Sequence, residues 1–315
     1  MDVNNPTGRS GLLAIDKRGC RALFLNPATY EEEGRLDLPA RPHELAITPD
    51  HRTAYVSIYG SGVYGNNPEP GRTIAVIDLR GRQHTDTLDV APYLAPHGLA
   101  LDPDGLLYAS CDESGVVAVV DPARRVVVGA IDVGSRGNHQ IGLLPDGSKL
   151  YSENEDQAPF VSVLDPRARR RIAEVPIPRG ALGLCASADG RRVLVTDGQE
   201  PALLVIDTRS DTLVDTVPLD GYAHPAQRVR GSPDGRFVVV TADREPLASV
   251  LDGSLARQST FEVADGPMGV AFHPDGRTAL VANHGAGRIT VVDLEAGRPT
   301  GDFAAGVGVE TLTFY

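Results

Sequence analysis

Apolar positions along this chain fall in short runs rich in Val, Leu and Ala, each closed by a turn of Gly, Pro, Asp or Asn. Gly266–Val307 shows the pattern once through. Met268–Phe272 predicts a strand, His273-Pro274-Asp275-Gly276 a turn and Thr278–Ala282 a second strand. Asn283–Gly287 is a glycine-rich loop, Ile289–Asp293 a third strand and Pro299–Phe303 a fourth. Gly and Asp adopt turn geometries that strain other residues, and β-branched residues suit buried or half-buried strands. Helical periodicity does not compete anywhere for any useful length.

The pattern recurs. The Asp of a Pro-Asp-Gly-like turn falls at Asp50, Asp104, Asp146, Asp189, Asp234 and Asp275, with gaps of 54, 42, 43, 45 and 41 residues. A period of roughly 40–45 residues with turn signals fits the four-stranded blade of a β-propeller. Each copy ends its third strand on an Asp, at 78, 121, 165, 207, 252 and 293. Residues 10–40 hold a partial copy in which Leu12–Ile15 and Ala22–Asn26 match the middle strands and the first strand is missing. Val309–Phe314 resembles that missing strand. The prediction is an all-β, seven-bladed propeller of antiparallel four-stranded blades, one domain over 1–315. Blade one is split between about 10–40 and 308–315, and blades two to seven span about 41–307. Closing the ring leaves no inner edge open to wrong pairing.

Bulk properties narrow the function. No apolar run reaches the roughly 18 residues of a membrane span, and Met1-Asp2-Val3-Asn4-Asn5 carries neither the basic cluster nor the apolar core of a secretory signal, which predicts a cytoplasmic protein. Cys20, Cys111 and Cys185 lie in three different repeats, an odd and widely spaced set that argues against a disulfide framework. A net charge of −12 disfavours nucleic acid and anionic membranes as partners. The one basic run, Arg167 with Arg169–Arg171, reads as a solvated turn. Serine-hydrolase elbow, Walker loop, dinucleotide fingerprint and haem-attachment motif are all absent from the sequence, so no nucleotide, haem or flavin is indicated.

The segment Arg277–Asn283, followed by Ile289–Asp293, resembles the YVTN family of β-propeller repeats, and Leu107–Ser110 and Thr53–Ser57 resemble variants of the same signature. The resemblance covers almost the whole chain. It implies the propeller fold. Among functions it implies surface proteins, nucleic-acid binders or, in the lactonase-like and virginiamycin-lyase-like groups, enzymes acting on cyclic esters. The acidic charge counts against the nucleic-acid branch.

One repeat position carries the candidate chemistry. Seven residues before each turn Asp, at the predicted mouth of the central channel, stand His43, His97, His139, Leu182, Gln227 and Met268, and the closing strand supplies Glu310. Four consecutive blades thus present Glu310, His43, His97 and His139 on one side. Such a set can hold a divalent transition metal ion (Zn, Fe, Mn or Cu). Without metal, a His can act as general base with another His or Glu310 as acid. The histidines can also simply bond neighbouring blades. A second ring, at the loops after the second strands, holds Asp16, Ile58, Cys111, Asn154, Asp197, Asp243 and Asn283. Asp or Asn there reads mainly as a turn cap.

The expected catalytic residues are Glu310, His139 and His284, with His43, His97, His139 and Glu310 as metal ligands. Tyr59, Tyr64, Asn66, Glu153, Gln227 and His224 are the expected contacts to a small-molecule substrate. Blade two carries an insertion, Tyr59–Gly71, about ten residues longer than its equivalents. It reads either as a lid over the arc or as a tolerated surface loop. The leading function is metal-assisted hydrolysis, ring opening or lyase/isomerase chemistry on a small carbonyl compound or lactone. The alternative is a non-catalytic propeller scaffold binding protein or small ligand.

Overall fold

The computed structural model describes residues 11–155 and 158–315. These form twenty-eight strands, β1 to β28 in chain order, arranged as seven four-stranded antiparallel sheets. The innermost strands are β4 (Arg41–Ile47), β8 (Pro96–Leu101), β12 (Asn138–Leu143), β16 (Ala181–Ala186), β20 (Arg228–Gly231), β24 (Pro267–Phe272) and β28 (Val309–Phe314). β28 pairs with β1 (Leu12–Asp16), joining Leu12 to Phe314 and Ala14 to Leu312, so blade one is built from both ends of the described chain as the repeat predicts.

The repeated aspartates explain the blade's local geometry. Asp50, Asp146, Asp189, Asp234 and Asp275 each accept the N–H of the residue two further on, closing the turn between first and second strands. Asp78, Asp121, Asp165, Asp207 and Asp293 accept the N–H three residues on, closing the turn into the outer strand. Both are side-chain mimics of backbone turns.

The core lies between blades. Leu13 and Ile15 of β1 pack with Ala54, Val56 and Ile77 of blade two, while Leu12 and Ala14 pack with Leu280 and Ala282 of blade seven. Alternate side chains of one strand leave opposite faces, and both faces are covered. Middle strands therefore read as unbroken apolar runs rather than alternating ones. Outer strands, such as Thr212–Pro218, are largely exposed. The three cysteines are free. No helix among the described residues is long and apolar enough to cross a membrane.

Candidate functional site at the channel mouth

A β-bulge opens most of the inner strands. Register shifts fall between Pro42 and Leu45, Pro96 and Leu99, Asn138 and Ile141, and Pro267 and Val270. The extra residue breaks the strand's alternation, so two successive side chains turn into the channel: His43 with Glu44, and His139 with Gln140. Second-strand hydroxyls fasten the bulges. Ser57 Oγ accepts the Glu44 N–H (3.0 Å) and donates to the His97 carbonyl (2.8 Å) in the next blade. Ser110 Oγ does the same between the Gly98 N–H (2.8 Å) and the His139 carbonyl (2.7 Å). Gly98 is required here, because a Cβ would stand 2.9 Å from the His139 carbonyl oxygen. The histidine backbones are thus pinned by neighbouring blades.

His43, His97, His139, Glu44, Glu153, Glu310, Arg228 and Lys17 are all at most 6% exposed. Nε2 of His43 lies 3.0 Å from Nε2 of His97, 3.2 Å from Oε1 of Glu310 and 2.5 Å from Nζ of Lys17. Lys17 Nζ also reaches Glu310 at 3.1 Å. Burial, reinforced by neighbouring cations, holds all three imidazoles well below their ordinary pKa, which makes them neutral bases. Burial also lowers the Lys17 amine, against the opposing charge of Glu310. Nδ1 of His43 and Nδ1 of His97 have no hydrogen-bond partner among the described residues.

Candidate metal donors differ from the expected four. His43, Glu44 and His97 place one donor atom each within 4.8 Å of one another and could hold an ion. His139 turns elsewhere: its Nδ1 meets Glu153 Oε1 at 2.9 Å and its Nε2 meets Glu155 Oε2 at 3.4 Å. Glu310 adjoins His43 but is taken up with Lys17 and with Nδ1 of His284 at 3.4 Å. The chemistry of this donor set, two neutral imidazoles and a carboxylate, suits a transition ion, and the Lys17 ammonium beside His43 already stands in for a cation there.

Glu153 occupies the strand position that holds Ser57 and Ser110 in the preceding blades. Its Oε1 accepts the Gln140 N–H at 2.8 Å as the serines accept theirs, and it holds His139 as well. It supports His139 rather than facing a ligand, and burial raises its pKa well above the usual carboxyl range. Tyr59 is likewise internal. Its hydroxyl donates to Asp112 Oδ2 at 2.7 Å, while its ring stands 5.5 Å from His43 and 5.6 Å from His97. Burial pushes the Asp112 carboxyl up to about 7.

A cavity of about 390 Å³ opens above these groups, lined by Lys17, Arg18, His43, Tyr64, His139, Glu155, Gln227, Arg228, His284 and Glu310 among others. The blade-two insertion reaches it. Val63 and Asn66 exchange backbone hydrogen bonds (3.1 and 2.9 Å) to form a hairpin tip. Asn67 braces it from inside, accepting the Gly62 N–H and donating to the Tyr59 carbonyl, both at 3.0 Å. The tip carries the Tyr64 ring to 5.7 Å from His139.

The remaining expected contacts divide. Tyr64, Gln227 and His284 line the cavity, but Asn66 and His224 do not. Asn66 spends its backbone on the hairpin and is exposed. His224 is exposed as well, its N–H held by the Glu245 carboxylate at 3.0 Å. Asp16 and Asp197 of the second ring cap their turns, accepting the N–H groups of Gly19 and Gln199, whereas Asn283 donates its amide to the Arg288 carbonyl and the Thr290 hydroxyl.

Sequence reasoning missed Lys17, Asp112, Glu44 and Arg228. Lys17 and Asp112 stand one residue past the second-ring positions 16 and 111, as Tyr59 and His284 stand past 58 and 283. Counting one residue further would have found both.

No protein-family model and no curated protein matches the chain. Among solved structures, the chain is similar to Kuenenia stuttgartiensis hydrazine synthase. TM-score is 0.77 and identity 19%, over 90% of this chain and 92% of that one. It is also similar to a functionally unknown protein from Desulfotomaculum acetoxidans, with TM-score 0.79 and 14% identity over 97% and 98% of the two chains. At such identities the likeness establishes the seven-bladed propeller fold alone.

Proposed function

We propose that the chain is a cytoplasmic, YVTN-like propeller enzyme acting on a small carbonyl compound or lactone at the channel mouth, with a divalent transition metal ion held by His43, Glu44 and His97. The observation carrying this reading is the 3.0 Å approach of two buried, neutral imidazole nitrogens beside a buried carboxylate, with one of the two imidazoles, His43, lining a cavity. A scaffold has no need to bury such groups together, since each loses hydration.

Such an ion supplies Lewis-acid polarisation of a carbonyl oxygen. The chain's own groups do the rest. Glu310 and His284, paired at 3.4 Å on the cavity wall, are placed to carry a proton to or from the reacting group. Burial lowers the pKa of His284, leaving it a free base near neutrality. Gln227 offers an amide to the substrate, and Tyr64 on its braced hairpin walls the cavity from water. His139, fixed by Glu153, orients the Tyr64 side of the cavity.

A second reading keeps the same site without metal. It is favoured by Lys17 Nζ, which stands 2.5 Å from His43 Nε2 as the site's own cation. Elemental analysis of untagged protein separates the two. About one equivalent of ion, lost in His97→Ala, supports the metal reading. Less than roughly a tenth of an equivalent, with no uptake on reconstitution, refutes it and leaves the Lys17 form.

A further inference from the structure

Below the histidines, a second polar layer crosses the channel. Glu44 Oε1 accepts from Gln140 Nε2 at 2.9 Å, and Thr311 Oγ1 donates to Glu44 Oε2 at 3.2 Å. Arg228 reaches into this layer from blade six. The residue is 4% exposed, yet neither NH1 nor NH2 makes a hydrogen bond among the described residues. The nearest carboxylate oxygens, on Glu44 at 3.4 Å and Glu310 at 3.8 Å, balance its charge without taking up its N–H groups. Buried donors left without acceptors are costly and rare. A planar fork of charged N–H groups matches a carboxylate in two-pronged fashion.

Arg228 lines the mouth cavity, where Lys17 and Gln227 add donors beside it. Glu155, Asp243, Asp265 and Glu310 line the same space and would repel a second negative charge, which favours a monoanion over a phosphate ester.

We propose that Arg228 anchors the carboxylate of a small organic acid, so that the substrate is a keto acid or a carboxylated lactone rather than a neutral one. This rests on reading the mouth cavity as the substrate site and narrows its substrate class. The carboxylate sits against Arg228 at the floor, and the rest of the molecule extends between Tyr64 and the His43–Glu310 side.

The test is calorimetric titration of the full chain with pyruvate, levulinate and glutarate, with levulinamide and inorganic phosphate beside them. Wild type is expected to bind at least one acid, and levulinamide about tenfold more weakly than levulinate. Arg228→Gln should abolish acid binding, and Arg228→Lys, which keeps the charge but loses the fork, should weaken it about tenfold. Thermal melts of both variants confirm folding, and the lysine variant carries the test if the glutamine variant does not fold. Equal affinity for levulinate and levulinamide, undiminished binding in Arg228→Lys, tighter binding of phosphate than of any acid, or no acid binding at about 50 mM each overturns the proposal. Ion content is measured on the same samples. Acid binding without an ion removes only the metal reading, whereas a bound ion without acid binding removes only the Arg228 assignment.

Discussion

Blades two and five follow one plan and do opposite things. Both close their first turn on an Asp carboxylate, Asp50 and Asp189. Both bulge the inner strand near the ring position, around Pro42–Leu45 and Ala181–Gly183. Into the channel, blade two sends His43 and Glu44 from its inner strand and Tyr59 from its second. Blade five has Leu182, Gly183 and Gly198 at these places. The backbone of blade six fills the space instead, since a Cβ at Gly183 would stand 2.5 Å from the Gln227 carbonyl oxygen. The frame is therefore set by turn aspartates and inter-blade apolar contacts, and chemistry occupies channel positions the frame leaves open. Blades one to four supply the three imidazoles with Lys17 and the carboxylates around them, blade five supplies no titratable group to the mouth cavity, and blades six and seven add Arg228 and His284.

The comparison breaks hardest if the common frame is opened. Removing residues 308–315 strips β28 from β1 and takes Glu310 with it. Blades with and without a ring histidine should lose stability together, by about 5 kcal/mol or more, the whole stability of many domains. Circular-dichroism melts check this; a truncated chain melting with the full-length one would mean the ring does not depend on its closing strand.

A sharper version changes one ring position on each side. His97→Ala should weaken ion uptake by about 100-fold or more while the fold persists. Leu182→Ala should cost about 1–2 kcal/mol of stability and leave ion uptake unchanged. Equal effects of the two on uptake would erase the distinction between a blade with a ring histidine and one without.

The smallest effect tests what loading costs the frame. Asp112 holds its proton up to about 7 in the folded chain, against 3.8 ordinarily. A raised folded value contributes stability that is present below pH 3.8 and is lost as pH rises towards 7. Asp112→Asn lacks this loss and keeps an acceptor for Tyr59. It should match the parent near pH 4 and exceed it at pH 8 by on the order of 2 kcal/mol. Denaturant titrations at the two pH values decide it, and a variant less stable at pH 8 would overturn the assignment.

The blade count and the closing strand were legible because they depend on local signals: an Asp that caps its own turn, and apolar runs covered on both faces. The ring of His43, His97 and His139 was legible because it repeats. Glu44 and Arg228 were hidden by the strand rule itself. Alternation assigns the residue after His43 to the opposite face, and only the bulge turns both inward, a feature fixed by the register of pairing with the following strand. The same ignorance of pairing hid the fate of His139, whose partner Glu153 replaces a serine. Lys17 was hidden differently, since nothing in an isolated Asp16-Lys17-Arg18 says that the lysine is buried against residue 310.

The layer of Glu44, Gln140, Arg228 and Thr311 has one more consequence. A separate cavity of about 230 Å³, lined by Ile47, Arg230 and Leu312 among others, lies on its far side, and Glu44, Arg228 and Thr311 border that space too. These residues thus stand between two separate spaces of the channel, one on each side of the layer. If the layer closes the channel, the proposed substrate and its product share the mouth, and each must pass the Tyr64 side chain that lines it.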